Sequence, residues 1–384
     1  MAKKQEVESV LDIHNKVSPK ELYEIIKTNV KSLIDNPESS SKIPPMFVWG
    51  GAGVGKSTII RSVADDLGIG FIDFRLAQRE PVDMRGLPVP NKETHTVEWY
   101  VTSDFPSDPN SKGIILFDEL PAADSSLQIA AFEIILDRRL GKLYSLPNGW
   151  YVIAAGNRTT DHAGAKSILS PLANRFLHVE LDTNTEDWVL WAQQHDIHPS
   201  VIGFINYRNE YLFHMDHENL ERGWPSPRSW ERVSHILNLY SNLDPDSPVL
   251  RKLVYGLVGN RAGVEFIEFY KNNSQFDNVL EYMLNPNLEF EIPDRADARY
   301  AVVSSMNYLL WRGKDDEDQK KRIDGFFRIS MRLPADFAAL AMLSAMAGNS
   351  KKMEAYCADT LFHHPRYKEW AKKYGSAIRK RFTI

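Results

Sequence analysis

One segment constrains this chain more than any other. The run Gly50-Gly51-Ala52-Gly53-Val54-Gly55-Lys56-Ser57 fits the pattern G-x-x-x-x-G-K-[ST] at every fixed position. The apolar run Met46-Phe47-Val48-Trp49 precedes it, as expected of a buried parallel strand, and a predicted helix follows it. In this context the glycines let successive backbone N–H groups point at phosphate oxygens. The sequence therefore predicts a phosphate-binding loop that leads into a helix.

The side chains of this loop have distinct expected parts in binding a nucleotide. Lys56 is expected to neutralise the β and γ phosphate oxygens, and the start of the helix adds the positive end of its dipole. Ser57 is expected to place its hydroxyl on Mg2+, a hard cation that prefers oxygen ligands. Thr58 completes the predicted nucleotide-binding segment. Because such a loop contacts phosphates and not the base, it leaves the choice between ATP and GTP open.

A second apolar run, Gly113 to Phe117, ends in two adjacent carboxylates, Asp118 and Glu119. A strand of this kind delivers acids to the carboxyl edge of a sheet, beside the phosphates. Asp118 is expected to hold Mg2+, either directly or through water, whereas Glu119 is expected to orient and deprotonate the attacking water. The pair favours hydrolysis, since a kinase or a simple nucleotide switch would not need Glu119.

Further apolar runs predict the rest of a parallel sheet. They alternate with helical or turn-rich stretches, which indicates a three-layer α/β domain. After Leu181 the pattern changes to helical periodicity, so we place a domain boundary between Asp182 and Thr185. The predicted parts are an N-terminal helical segment (1–43), an α/β nucleotide-binding domain (44–183), and two helical regions (184–300 and 301–384).

Composition narrows the choice of partners and compartment. The formal net charge is -5 with acids and bases interspersed, so nucleic acid is not the expected partner. The single cysteine, Cys357, cannot form an internal disulfide and is expected to be a buried thiol in a reducing compartment. No apolar run approaches the roughly 20 residues of a spanning helix, so we expect no membrane association and a cytoplasmic location.

Three further segments carry a resemblance to a known family. Gly149 to Asn157 looks like a strand that ends in an asparagine, Ser170 to Phe176 ends in Arg-Phe, and Trp224 to Glu231 begins a helix with Pro-Arg-Ser. Together with the phosphate loop and the acid pair, they occur in the order found in the AAA+ ATPases. Within these ATPases the chain resembles the MoxR family over about Pro45 to Leu237.

The resemblance implies roles for three residues. Asn157 takes the place of the sensor 1 asparagine, whose amide helps to position the attacking water. Arg175 takes the place of the arginine that reaches across a subunit boundary to the γ-phosphate of the neighbour, and Arg228 that of the sensor 2 arginine on a helical lid. The family also has a hairpin before sensor 1, here Leu140 to Asn148, and an insert after the second strand, to which Asp83 to Leu87 and Trp99-Tyr100 are expected to belong.

The resemblance also implies how the protein works. It predicts an ATPase that binds ATP and Mg2+ between subunits of a homo-oligomeric ring, expected to be a hexamer. The ring would remodel or mature a protein client, with a partner that contains a von Willebrand factor A domain. Two alternatives stay open: a nucleic-acid-stimulated motor, suggested by the basic run Arg379-Lys380-Arg381, and a nucleotide-controlled scaffold with little hydrolysis, which Glu119 argues against.

Overall fold

The chain divides after Asn184 into two compact units. The structure is a computed structural model that describes residues 16–141, 144–158, 173–215, 222–240, 244–274, 279–348 and 351–382. Among these residues no helix has both the length and the apolar composition that a membrane-spanning segment requires. Cys357 is buried, and its burial raises the pKa of the thiol to about 11.

The first unit is built on a parallel sheet. Its strands, in chain order, are β1 (Lys16–Val17), β2 (Met46–Trp49), β3 (Gly70–Arg75), β4 (Leu87–Asn91), β5 (Thr96–Tyr100), β6 (Lys112–Asp118), β7 (Arg139–Leu140), β8 (Tyr144–Ser145), β9 (Gly149–Gly156) and β10 (Leu177–Leu181). Six of them form one sheet in the order β1-β10-β2-β9-β6-β3, and every neighbouring pair in it is parallel.

The other four strands form two short antiparallel ribbons. β4 pairs with β5, and β7 pairs with β8 in a hairpin just before β9. The hairpin predicted between Leu140 and Asn148 is therefore present, although it begins one residue earlier, at Arg139.

Helices cover both faces of the sheet. Within the part of this unit that the structure describes, the complete helices are α1 (Pro19–Asp35), α2 (Lys56–Leu67), α3 (Pro81–Arg85) and α4 (Ser125–Asp137). Along β6 the side chains alternate, so Ile115 and Phe117 share a cluster with Leu127 and Ile134 of α4. The intervening residues Ile114 and Leu116 are equally buried and face the opposite side, where α1 and α2 lie.

The start of α1 shows how directly local sequence specifies an element. Ser18 accepts a hydrogen bond from the backbone N–H of Glu21 at 3.2 Å, and the Glu21 carboxylate accepts one from the N–H of Ser18 at 2.8 Å. This capping box satisfies two of the backbone donors that a helix start leaves unpaired. The box sets the start of α1 at Pro19, directly after the N-cap Ser18.

The described residues of the second unit form helices joined by turns and loops, with no strand among them. Its helices are α5 (Thr185–Gln194), α6 (Pro199–Tyr207), α7 (Pro227–Leu239), α8 (Pro248–Asn273), α9 (Val279–Leu284), α10 (Ala296–Leu310), α11 (Asp316–Ser330), α12 (Ala335–Ala345), α13 (Lys351–Phe362) and α14 (Tyr367–Phe382). They enclose two apolar clusters, one around Trp230 and Phe266 and one around Phe326 and Trp370.

The predicted fold class is confirmed. A three-layer P-loop α/β domain with a parallel sheet, as expected of an AAA+ ATPase, is followed by helical regions. The finer division at residues 43, 183 and 300 stays a prediction.

Tight packing at the amino end of β6 yields a stability prediction. A Cβ atom on Gly113 would lie 2.6 Å from the carbonyl oxygen of Gly70 and 2.6 Å from the Trp150 ring. We expect Gly113→Ala to lower the free energy of unfolding by about 1–3 kcal/mol, because both neighbours belong to the sheet. In the control Gly256→Ala, at an exposed position of helix α8, the new methyl group meets no atom within 4 Å, and stability should hold or rise. Urea denaturation followed by circular dichroism measures both, and equal midpoints would contradict the expectation.

Candidate active site

The sheet register brings the phosphate loop, Asp118 and Asn157 to one edge. Trp49 at the end of β2 lies opposite Gly156 of β9, and Phe117 of β6 lies opposite Ala154 of the same strand. The residues that follow these strands are the phosphate loop, Asp118 and Asn157. Because the strands are parallel, their carboxyl ends share one edge, where open α/β sheets bind their ligands.

Lys56 is the first residue of α2 and is largely buried. Its ammonium group donates hydrogen bonds to the carbonyl oxygens of Gly50 at 2.7 Å and Gly51 at 3.0 Å, and to Oδ1 of Asn157 at 3.1 Å. The loop folds back over the lysine because Gly55 adopts φ of 100°, a left-handed conformation that favours glycine. The site therefore holds a buried cation at the start of a helix, an arrangement that suits a polyphosphate.

Ser57 and Asp118 meet directly at this edge. The Ser57 hydroxyl donates to Oδ2 of Asp118 at 2.7 Å, and Oδ1 of Asp118 accepts a hydrogen bond from the backbone N–H of Glu119 at 2.9 Å. A hydroxyl and a carboxylate side by side provide the hard oxygen ligands that Mg2+ prefers in phosphate-binding sites. These residues therefore fit the ion that the sequence predicts.

Glu119 has an unusual backbone conformation. Its φ of 58° and ψ of 30° lie in the left-handed region, which few residues other than glycine adopt. The residue follows β6 and precedes a short 3-10 helix, Leu120–Ala122, and its side chain is exposed. Backbone strain of this kind concentrates at functional sites, so we take it as support for a functional side chain.

Arg175 lies at the opposite edge of the same sheet. It precedes β10, whose first residue, Leu177, lies opposite Met46 at the start of β2. Five residues of β10 then separate it from the carboxyl edge, a distance of about 16 Å at the rise of a β-strand. The exposed Arg175 side chain is thus not part of the group around Lys56. Residues 170–172, which belong to the predicted arginine segment, lie outside the described part of the chain.

Arg228 is in the second unit, in the first turn of α7. The N-cap Ser226 accepts a hydrogen bond from the Ser229 N–H at 3.2 Å, and Trp230 is fully buried, so the turn is firmly anchored while Arg228 is exposed. A cation so close to a helix N-terminus opposes the helix dipole. Helix stability therefore does not explain this arginine, and its nucleotide-binding role stays a prediction.

Two polar contacts at the site were not predicted from the sequence. The Trp49 indole N–H donates to Nδ1 of His178 at 2.9 Å, and since Nδ1 accepts, Nε2 carries the proton that is donated to the Ala173 carbonyl at 2.6 Å. These two hydrogen bonds through His178 connect Trp49, the residue before the phosphate loop, with the turn that carries Arg175. Separately, Arg158 forms an ion pair with Glu180 at 2.6 Å and ties the residue after Asn157 to β10.

Comparisons with known proteins show only distant similarity. No protein-family model matches this chain. Among solved structures, it is similar to a mutant form of RuvB from Thermotoga maritima, with 12% identity, 80% of this chain and 89% of that chain covered, and a TM-score of 0.36. NtrX from Brucella abortus has 12% identity, with 88% of this chain and 66% of that chain covered and a TM-score of 0.33. A candidate ATPase from Cytophaga hutchinsonii has 14% identity, with 79% of this chain and 86% of that chain covered and a TM-score of 0.28. Similarity at this level assigns no function.

The Trp49–His178 contact predicts a measurable coupling. Trp49→Phe removes the donor, and His178→Leu removes the acceptor together with the bond to Ala173. We expect His178→Leu to cost about 1–3 kcal/mol of stability, because it leaves partly buried polar groups unpaired. A double-mutant cycle by urea denaturation should give a coupling energy of about 1 kcal/mol between the two positions. Additive single effects would show that the contact contributes nothing.

Proposed function

We propose that this chain is an AAA+ ATPase that hydrolyses ATP between the subunits of a ring. The observation that carries this proposal is the division of the predicted groups between two edges of one sheet. Lys56, Ser57, Asp118 and Asn157 converge at the carboxyl edge, whereas Arg175 stands at the amino edge. A nucleotide on the phosphate loop would therefore meet the arginine of another copy and not that of its own chain.

At the carboxyl edge, each group has a chemical task. Phosphate oxygens would become partners of the Lys56 ammonium and of the N–H groups of the loop from Gly50 to Thr58. Mg2+ held by Ser57 and Asp118 would neutralise charge on the phosphate oxygens.

Glu119 and Asn157 would then act on the attacking water. Glu119 would accept a proton from the water while the water oxygen forms a bond to the γ-phosphorus. The bond from that phosphorus to the bridging oxygen breaks, and ADP and phosphate are released. Asn157 would orient the water, and its contact with Lys56 already holds it at the edge.

Arg175 would complete the site from the neighbouring copy. A guanidinium presented in trans stabilises charge on the transferring phosphoryl group, which is worth several orders of magnitude in known phosphoryl-transfer enzymes. Hydrolysis would thus depend on assembly, and ATP binding and ring closure would favour each other. Arg228 would contact the nucleotide from the helical lid.

The finer function rests on the resemblance to the MoxR family. We propose a homohexamer that remodels or matures a protein client together with a partner containing a von Willebrand factor A domain. Stimulation of turnover by DNA or RNA is the alternative outcome, although the side chains of Arg379, Lys380 and Arg381 lie outside the described residues.

Removal of the proposed base should separate binding from hydrolysis. We expect Glu119→Gln to bind ATP with unchanged affinity while its turnover falls about a hundredfold or more, because the amide cannot accept the proton of water. The control Glu24→Gln changes the same charge on an exposed position of α1 and should leave turnover intact. Steady-state phosphate release and equilibrium ATP binding measure the two effects. Unaltered turnover in Glu119→Gln would refute the assignment.

Assembly gives an independent test of the ring. The mass of the Glu119→Gln protein in solution should shift from a small species to a defined ring when ATP and Mg2+ are added. Arg175→Ala should then lower turnover about a thousandfold while leaving ATP bound. A monomer under all conditions, despite bound ATP, would mean that Arg175 has no neighbour to serve, and the ring proposal would fail.

A further inference from the structure

The amino edge of the sheet carries a cleft of about 680 Å³. Its walls come from the segment Ser40 to Pro45 before β2, the last turn of α4, the beginning of β9, and Arg175. Four of the lining side chains are cationic, namely Lys42, Arg138, Arg139 and Arg175, and one, Asp137, is acidic. The cleft thus concentrates positive charge at the edge opposite Lys56, in a chain whose overall net charge is negative.

Arg138 is the most constrained of these cations. It follows the last residue of α4 with φ of 56° and ψ of 32°, the left-handed conformation that usually calls for glycine at this place. Its Nη2 donates to the Pro147 carbonyl at 2.8 Å, whereas its Nε is buried without a hydrogen-bond partner. Burial lowers the pKa of the guanidinium to about 10. An arginine that strains the backbone and leaves a buried donor unpaired is poorly explained by folding alone.

The other cations are exposed and little neutralised. Arg139 lies 3.7 Å from Glu133 in an exposed ion pair, which contributes little. Within the described residues, Lys42 and Arg175 have no ion-pair partner. Apolar walls that include Leu33 strengthen the field of these charges in the cleft. An anion with several charged oxygens suits this arrangement.

We propose that this cleft receives the phosphate groups of the nucleotide that the neighbouring copy holds, with Arg138 and Lys42 acting beside Arg175. The inference rests on the proposed function, because Arg175 lines the same cleft and lies at the edge of the sheet opposite the phosphate loop of its own chain. If Arg175 meets the phosphates of a neighbour, the cations that share its cleft lie within the same electrostatic field. The trans site is therefore a multi-cation cleft and not a single arginine.

The first test removes single positive charges from the cleft by substitutions that should leave the fold intact. Arg138→Gly places glycine at a left-handed position, so the backbone should be relieved. We expect the turnover of the assembled protein to fall at least about tenfold. Lys42→Gln, at an exposed position, is a second variant that should also slow turnover and does not depend on how Arg138 is tolerated. Arg61→Gln, a control with the same charge change at an exposed position over the Phe71 ring, should match the unmodified protein.

Mixed rings show on which copy each residue acts. Copies carrying Glu119→Gln keep an intact cleft, and copies carrying Arg138→Gly keep an intact phosphate loop and base. In an equal mixture, about a quarter of the interfaces join one intact half from each variant, so turnover should rise well above that of either variant alone. The same mixture made with Arg175→Ala in place of Arg138→Gly tests the proposed function itself, and solution mass verifies that the rings contain both variants.

Each outcome decides the matter. Recovery of turnover in both mixtures supports the proposal that the cleft receives the phosphate groups held by the neighbouring copy. Recovery with Arg175→Ala but not with Arg138→Gly overturns the cleft inference and leaves the proposed function intact. Failure of both mixtures in rings of verified composition overturns the trans arrangement and the cleft with it. Unmodified turnover in both Arg138→Gly and Lys42→Gln would also overturn the inference.

Discussion

The ammonium group of Lys56 is held by two carbonyl oxygens of its own loop and by the side-chain oxygen of Asn157. A buried cation is costly unless its donors are satisfied, and each hydrogen bond to a charged group contributes about 1.5–3 kcal/mol. This cluster therefore fixes three things together: the path of the loop, the start of α2, and the end of β9. The cluster brings the lysine of the phosphate loop and the asparagine that follows β9 into direct contact.

The parallel sheet determines at which edge this cluster lies. Every strand end that faces Lys56 is a carboxyl end, so residues that precede strands are carried to the far edge. Arg175 and the cleft around Arg138 belong to that far edge. A single α/β domain thus presents the phosphate loop at one edge and a cationic cleft at the other, and under the proposed function two copies would bring them together. In the proposed function, hydrolysis would depend on assembly because the two edges of one domain cannot meet each other.

His178 and Glu180 show where sequence reasoning stops. Both lie on β10, and their partners, Trp49 and Arg158, are far away along the chain. Nothing in the local pattern of β10 marks these residues, because a histidine or glutamate in a strand is ordinary when its neighbours are unknown. Arg138 is similar: adjacent arginines at a helix end look like a solvated surface until the left-handed backbone and the cleft become visible.

The sequence by itself determined those helices, strands and binding groups that are formed by residues close together along the chain. The capping box of α1, the strands that lead into the phosphate loop and the acid pair, and the loop with its lysine are written in contiguous residues, because helix caps, strand periodicity and glycine-rich turns are local properties. Only the tertiary structure decided which edge of the sheet each residue occupies, that Asn157 touches Lys56, and that Arg138 shares a cleft with Arg175. These facts depend on strand order and register, which arise from packing between residues more than a hundred positions apart in some pairs.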